Sequence, residues 1–126
     1  MQPSYEEKKE KFSMIRKKPH HVPPHLHNAI ELVYVTKGEA ELGIGYELYH
    51  MEKGDFAIVF PDLIHHYQVF SKGKNEVYQF YASLELSGPF MALLQKKCPE
   101  NPVIANADLH GEVKSALSCL ITDQKV

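Results

Sequence analysis

Apolar and polar positions alternate in short runs through the middle of the chain, and each run is closed by glycine, proline or a polar cluster. Ala29–Lys37 (AIELVYVTK) is rich in β-branched and aromatic residues and stops at the turn signal Lys37-Gly38; Glu39–Ile44 alternates until Gly45. Tyr46–Met51 follows, Glu52-Lys53-Gly54 turns the chain into Asp55–Phe60, and Pro61-Asp62 ends that run. Ile64–Phe70 and Glu76–Leu84 flank Lys72-Gly73-Lys74-Asn75, which has the composition of a hairpin loop. Phe12–Arg16 adds an edge strand. Short strands punctuated at intervals of roughly eight to twelve residues predict an all-β sandwich or barrel. Side chains alternate along a strand, so an inward Glu31 takes Val33 and Val35 with it and leaves Leu32 and Tyr34 on the opposite face.

The period changes in the last third. Pro89–Lys97 puts Phe90, Leu93 and Leu94 on one side and ends in Lys96 and Lys97 before Pro99, the pattern of a short amphipathic helix. A loop over Cys98–Ala107 leads to Asp108, a helix N-cap, and to Leu109, Val113, Ala116, Leu117, Leu120 and Ile121 on a wide apolar stripe. The expected organisation is a β-barrel with an N-terminal arm over 1–87 and a helical segment over 88–126 packed on the same domain.

With 126 residues, 44% of them hydrophobic, the chain is long enough to bury a core, and one domain is the natural count. No apolar run approaches the roughly 20 residues of a membrane span. The start, MQPSYEEKKEKF, is too charged for a signal peptide, so the expected location is cytoplasmic. Cys98 and Cys119 have no CxxC pairing and read as reduced thiols. A net charge of −2 argues against a nucleic-acid backbone as partner of this chain, since that needs a concentrated positive face. The local excess of Lys8, Lys9, Lys11, Arg16, Lys17 and Lys18 reads as a solvated arm.

Candidate chemistry concentrates in His25, His27, Glu31 and His65. Residues two apart on an extended chain share a face, so His25 and His27 can meet one point, and Glu31 keeps that parity. His65 lies on a second strand signal placed to complete a set of four. Imidazole nitrogens and a carboxylate suit a first-row divalent metal, with Zn, Ni, Fe and Mn all admissible. His66 takes the opposite face and is expected to be exposed; His20, His21, His50 and His110 read as surface residues. Tyr67, Gln79 and Tyr81 are the candidates for lining a cavity that binds a small polar effector, a sugar or an organic acid.

The stretch from His25 to Gly38, HLHNAIELVYVTKG, resembles the first cupin motif, HxHxxxE followed by six residues and glycine; Pro19 stands where that motif usually leads with glycine. GDFAIVFPDLIH, Gly54–His65, is similar to the second cupin motif with its histidine in register. Phe60 and Asp62 replace its usual proline and glycine, and Val69 its terminal asparagine. Within the cupins, ELVYVTKGEAELGIGYELYHMEKGDFAIVFPDLIHHY looks most like the N-terminal effector domain of AraC-type transcription regulators, and the likeness extends over about residues 12–121. It implies a double-stranded β-helix (jelly-roll) followed by two α-helices, an arm that closes on effector, and a homodimer formed through the last helix. Such regulators carry two helix-turn-helix units after this point. None is present in this sequence, so the expectation is a truncated part of a longer regulator that reaches DNA through that missing part.

Three functions follow from these features. The leading one is a small-molecule-sensing and dimerisation domain, not an enzyme. The complete ligand set also suits a stand-alone metal-dependent cupin enzyme, an isomerase or dioxygenase. A sugar-binding or scaffolding cupin is the third.

Overall fold

The computed structural model describes residues 3–8, 12–70, 72–83 and 103–104. The strands are β1 (Ser4–Glu6), β2 (Phe12–Lys17), β3 (Val22–His27), β4 (Ile30–Lys37), β5 (Glu39–Ile44), β6 (Glu47–Glu52), β7 (Phe56–Val59), β8 (His65–Gln68), β9 (Glu76–Ala82) and β10 (Val103–Ile104). They form two five-stranded sheets, ordered β1-β3-β8-β5-β6 and β10-β7-β4-β9-β2. This is the expected all-β, cupin-like architecture, with β2 at a sheet edge as its sequence predicts. The two predicted helices, Cys98, Cys119 and His110 lie outside the described residues. No helix among the described residues is long and apolar enough to cross a membrane.

The faces of β4 separate as its alternation requires. Val33 and Val35 pack with Leu42, Met51, Ala57, Val59, Tyr67 and Val77 between the sheets. Ile30 and Leu32 join Phe56, Ile58, Tyr78 and Phe80 on the other face, with Tyr34, Phe12 and Met14 against them. β4 is thus apolar on both sides, which makes AIELVYV a nearly continuous hydrophobic run interrupted inside by one acid.

Three segments depart from the pattern their sequence predicts. The loop at 72–75 is not a hairpin: β8 pairs with β3 and β5, while β9 pairs with β4 and β2, so the chain crosses between sheets. Glycine marks a turn but carries no information about which sheet receives the next strand. Instead, Asn75 accepts a hydrogen bond from the Glu39 amide at 3.0 Å. Gly38 turns there with φ +69°, and a Cβ on it would lie 2.0 Å from the Asn75 amide oxygen. Second, the expected loop over Cys98–Ala107 contains β10, whose Val103 and Ile104 pair with Ala57 and Phe56.

Third, the basic N-terminal stretch is not simply a solvated arm. β1 runs parallel to β3, with Ser4, Tyr5 and Glu6 opposite His25, Leu26 and His27. Lys8 then exchanges two hydrogen bonds with the Asn28 side chain, at 2.7 and 3.2 Å, and sits 4.4 Å from the centre of the Tyr81 ring. Arg16 and Lys18 are exposed; Lys17, opposite the buried Val77, is half-buried.

Candidate metal and effector site

Both sheets contribute to a buried polar cluster. β3 carries His25 and His27 inward, β8 places His65 directly opposite His25, and β4 supplies Glu31 from the facing sheet. All four are at least 94% buried, with exposures of 6, 1, 1 and 0% for His25, His27, His65 and Glu31. One potential ligand atom from each lies within 4.8 Å of those of the other three. The ring centroids of His25 and His65 are 4.1 Å apart, and those of His27 and His65 4.9 Å.

Backbone carbonyls fix the histidine tautomers. Nδ1 of His25, His27 and His65 lies 2.9, 3.0 and 2.9 Å from the carbonyl oxygens of Pro23, Ala29 and Leu63. A carbonyl oxygen only accepts, so each Nδ1 carries the proton and each neutral ring leaves a lone pair on Nε2. His27 Nε2 is 3.3 Å and His65 Nε2 3.6 Å from the same Glu31 oxygen, Oε1; the second is beyond hydrogen-bond reach, and His65 Nε2 is buried without a hydrogen-bond partner. Acceptors facing acceptors in a dry interior are costly to leave without a cation. Three imidazoles held from behind by carbonyls, with one carboxylate, fit a divalent transition metal. The cluster is consistent with a metal site on this observation.

Tyr67 donates its hydroxyl proton to Glu31 Oε2, and Gln79 in turn bonds to the Tyr67 oxygen. Tyr81, opposite Glu31 across β4 and β9, meets the His27 ring edge-on at 5.4 Å between centroids. Tyr67, Gln79 and Tyr81 therefore all lie on the inward face, Tyr67 and Gln79 leading from Glu31 towards the middle of the barrel and Tyr81 standing against His27.

Burial alone would raise the Glu31 carboxyl, but the Tyr67 hydroxyl and the surrounding His27 and His65 rings, whenever these carry a second proton, outweigh burial and hold the group well below the ordinary range. Burial lowers His25. For His65 burial acts the same way, yet the Glu31 carboxylate overcomes it and the net direction is up. Tyr67 and Tyr81 are raised by burial and by the Glu31 charge, so both remain protonated donors.

His20, His21 and His50 are exposed, as their spacing suggests. His66 faces away from the cluster but is half-buried, not exposed, because its ring fills the space over Gly43, where a Cβ would meet it at 1.9 Å. Two groups had no one-dimensional signature. His50 is ringed by Glu39, Glu41 and Glu52 across the β5–β6 ladder, and Lys17 turns towards the interior from the sheet edge.

The sequence model described as the AraC-like ligand binding domain matches residues 15–125. No curated protein matches the chain. Among solved structures, the conserved SPY1581 protein of unknown function from Streptococcus pyogenes aligns with a TM-score of 0.52 and 14% identity, over 60% of this chain and 68% of that one. Pumpkin seed globulin gives a TM-score of 0.52 and 17% identity over 57% of this chain and 24% of the globulin, so this chain spans about a quarter of that protein. An RmlC-like cupin family protein with a double-stranded β-helix fold from Methanocaldococcus jannaschii gives 0.49 at 19% identity, over 57% of this chain and 68% of that one. At such identities the first two likenesses show the fold alone.

Proposed function

This chain belongs to the family of AraC-like ligand-binding domains, and on that premise we propose that it senses a small polar effector inside the barrel and passes the binding energy to a DNA-binding part of an AraC-type regulator. The observation that carries this reading is the unbroken interior polar chain of Glu31, Tyr67 and Gln79, backed by three tautomer-fixed histidines, in an otherwise apolar barrel. A core built only for stability gains nothing from six buried polar side chains between two sheets.

In this reading His25, His27, Glu31 and His65 hold one divalent ion, with Zn, Ni, Fe and Mn as candidates. Such an ion supplies a fixed Lewis-acidic charge that can anchor an oxygen of the effector. Tyr67 keeps the Glu31 carboxylate oriented, and Tyr81 with Lys8 stands at the edge of the cluster nearest β1. An effector that binds one arrangement of the barrel better than another shifts the population by that difference in affinity. The expected assembly is a homodimer, with contact to DNA left to separate helix-turn-helix units.

The complete ligand set favours one alternative, a metal-dependent isomerase or dioxygenase. The two are separated by incubating the metal-loaded chain with small sugars and organic acids in air and following both binding and chemical change by NMR. Saturable binding with the ligand recovered unchanged supports the sensor. Turnover overturns it in favour of the enzyme.

A further inference from the structure

Beyond Gln79 the barrel interior contains a small cavity, lined among others by Lys17, His20, Val33, Tyr67, Val77 and Gln79. Its volume open to the centre of a water-sized sphere is about 10 Å³, room for a single water or one hydroxyl group. Two polar groups there lack partners. The Gln79 side chain is 98% buried, and its amide nitrogen is committed to Tyr67 while Oε1 has no hydrogen-bond partner. Lys17 makes no ion pair or hydrogen bond among the described residues, although its position opposite Val77 puts it on the inward face of the edge strand.

An orphaned acceptor on one lining residue and an unpaired cation on another define a ligand by complementarity. The acceptor requires a donor, such as a hydroxyl; the cation requires an anion; and the cavity is too small for more than the hydroxyl end. We propose that this cavity recognises a small hydroxycarboxylate, whose hydroxyl donates to Gln79 Oε1 and whose carboxylate pairs with Lys17. The inference rests on the effector-sensing reading and narrows it, from a sugar or organic acid to an acid, with Lys17 as the residue that sets specificity. Partial desolvation of the ammonium, which lowers Lys17, is the condition that an approaching anion relieves. Because Gln79 also holds Tyr67, and Tyr67 holds Glu31, the bound hydroxyl would sit at the far end of the same chain that reaches the histidine cluster.

Three two-carbon probes separate the contributions: glycolate carries both groups, acetate lacks the hydroxyl, and ethylene glycol lacks the charge. Their binding is read from the NMR methyl signals of Val33 and Val77, two residues that line the cavity. Glycolate is expected to shift both signals saturably, acetate to bind roughly tenfold more weakly, and ethylene glycol not to bind. Lys17→Met should abolish the glycolate response while Lys17→Arg retains it, and Gln79→Leu should reduce glycolate to the level of acetate. Methyl spectra of each variant without probe report folding, and the Arg variant keeps the test decisive if the Met variant does not fold. An unchanged glycolate response in Lys17→Met, or equal responses to all three probes, overturns the inference. Glucose and sorbitol serve as neutral comparators. If they bind and glycolate does not, the acid assignment fails and the effector reading stands; if no probe binds, both fail.

Discussion

Asp62 is the non-glycine residue with positive φ among the described residues, at 64°, and its amide donates to the His27 carbonyl at 2.8 Å. It occupies the position where the second cupin motif usually has glycine, and aspartate tolerates the left-handed region better than most residues. Asp62→Gly should therefore be neutral or mildly stabilising, whereas Asp62→Val should lose about 1–2 kcal/mol. Urea denaturation of the pair checks the order. His50 offers a second test. Hydrogen bonding to Glu41 is the largest influence on it, and together with Glu52 and the charge of Glu39 it raises the imidazole above its ordinary value. A raised folded-state value means that the pairing stabilises the fold below the unfolded pKa, near ~6.5, and that this contribution is lost as pH rises through the higher folded value. Exposure keeps it small. NMR titration should place His50 above its ordinary value in the wild type, and Glu41→Gln should bring it down.

β8 shows how one short strand divides its work. His65 and Tyr67 face the interior, while His66 and Gln68 are half-buried on the other side, with Gln68 Nε2 3.3 Å from His66 Nε2. Removing the Tyr67 hydroxyl leaves Glu31 Oε2 and the Gln79 amide without their partner, so Tyr67→Phe should destabilise the fold by about 1–3 kcal/mol, measured by thermal denaturation of the metal-free protein. The shared facing of His25 and His27 was legible in the sequence because a period of two fixes facing within one strand, whereas Glu31 and His65, on β4 and β8, were legible through the spacing of the two motifs. So was the division of β4 into Val33 and Val35 against Leu32 and Tyr34. β1 and β10, with three and two residues, are too short to carry a period. The ring of glutamates around His50 depends on the register of Glu39 with Glu52 and of Glu41 with His50, which no spacing along the chain encodes. Lys17 was hidden for a related reason: its inward facing follows from pairing with Val77, while its neighbours Arg16 and Lys18 are exposed and make it look solvated.

The two sheets meet at the cluster, with three histidines from one and Glu31 from the other, so an ion bound there ties the sheets together in the folded state alone. Metal at a hundredfold excess over its Kd should add about 2.7 kcal/mol, raising Tm by roughly 10 °C for a chain of this size. The ligating rings must be neutral, and His65, which Glu31 holds above the usual imidazole value of ~6.5 although burial acts the other way, has to lose a proton to bind, so the gain should be large at pH 7.5 and much smaller at about pH 5.5. If the inward histidines, and not their neighbours, build this site, His65 and His66 must differ sharply in what their loss does to metal binding. Isothermal titration of Zn²⁺ at pH 7.5 into the wild type, His65→Ala and His66→Ala tests it directly. One ion per chain should bind the wild type and His66→Ala with similar affinity, and binding should vanish in His65→Ala. Equal losses in both variants, or no binding to the wild type, would rule out a metal site built from the inward histidines.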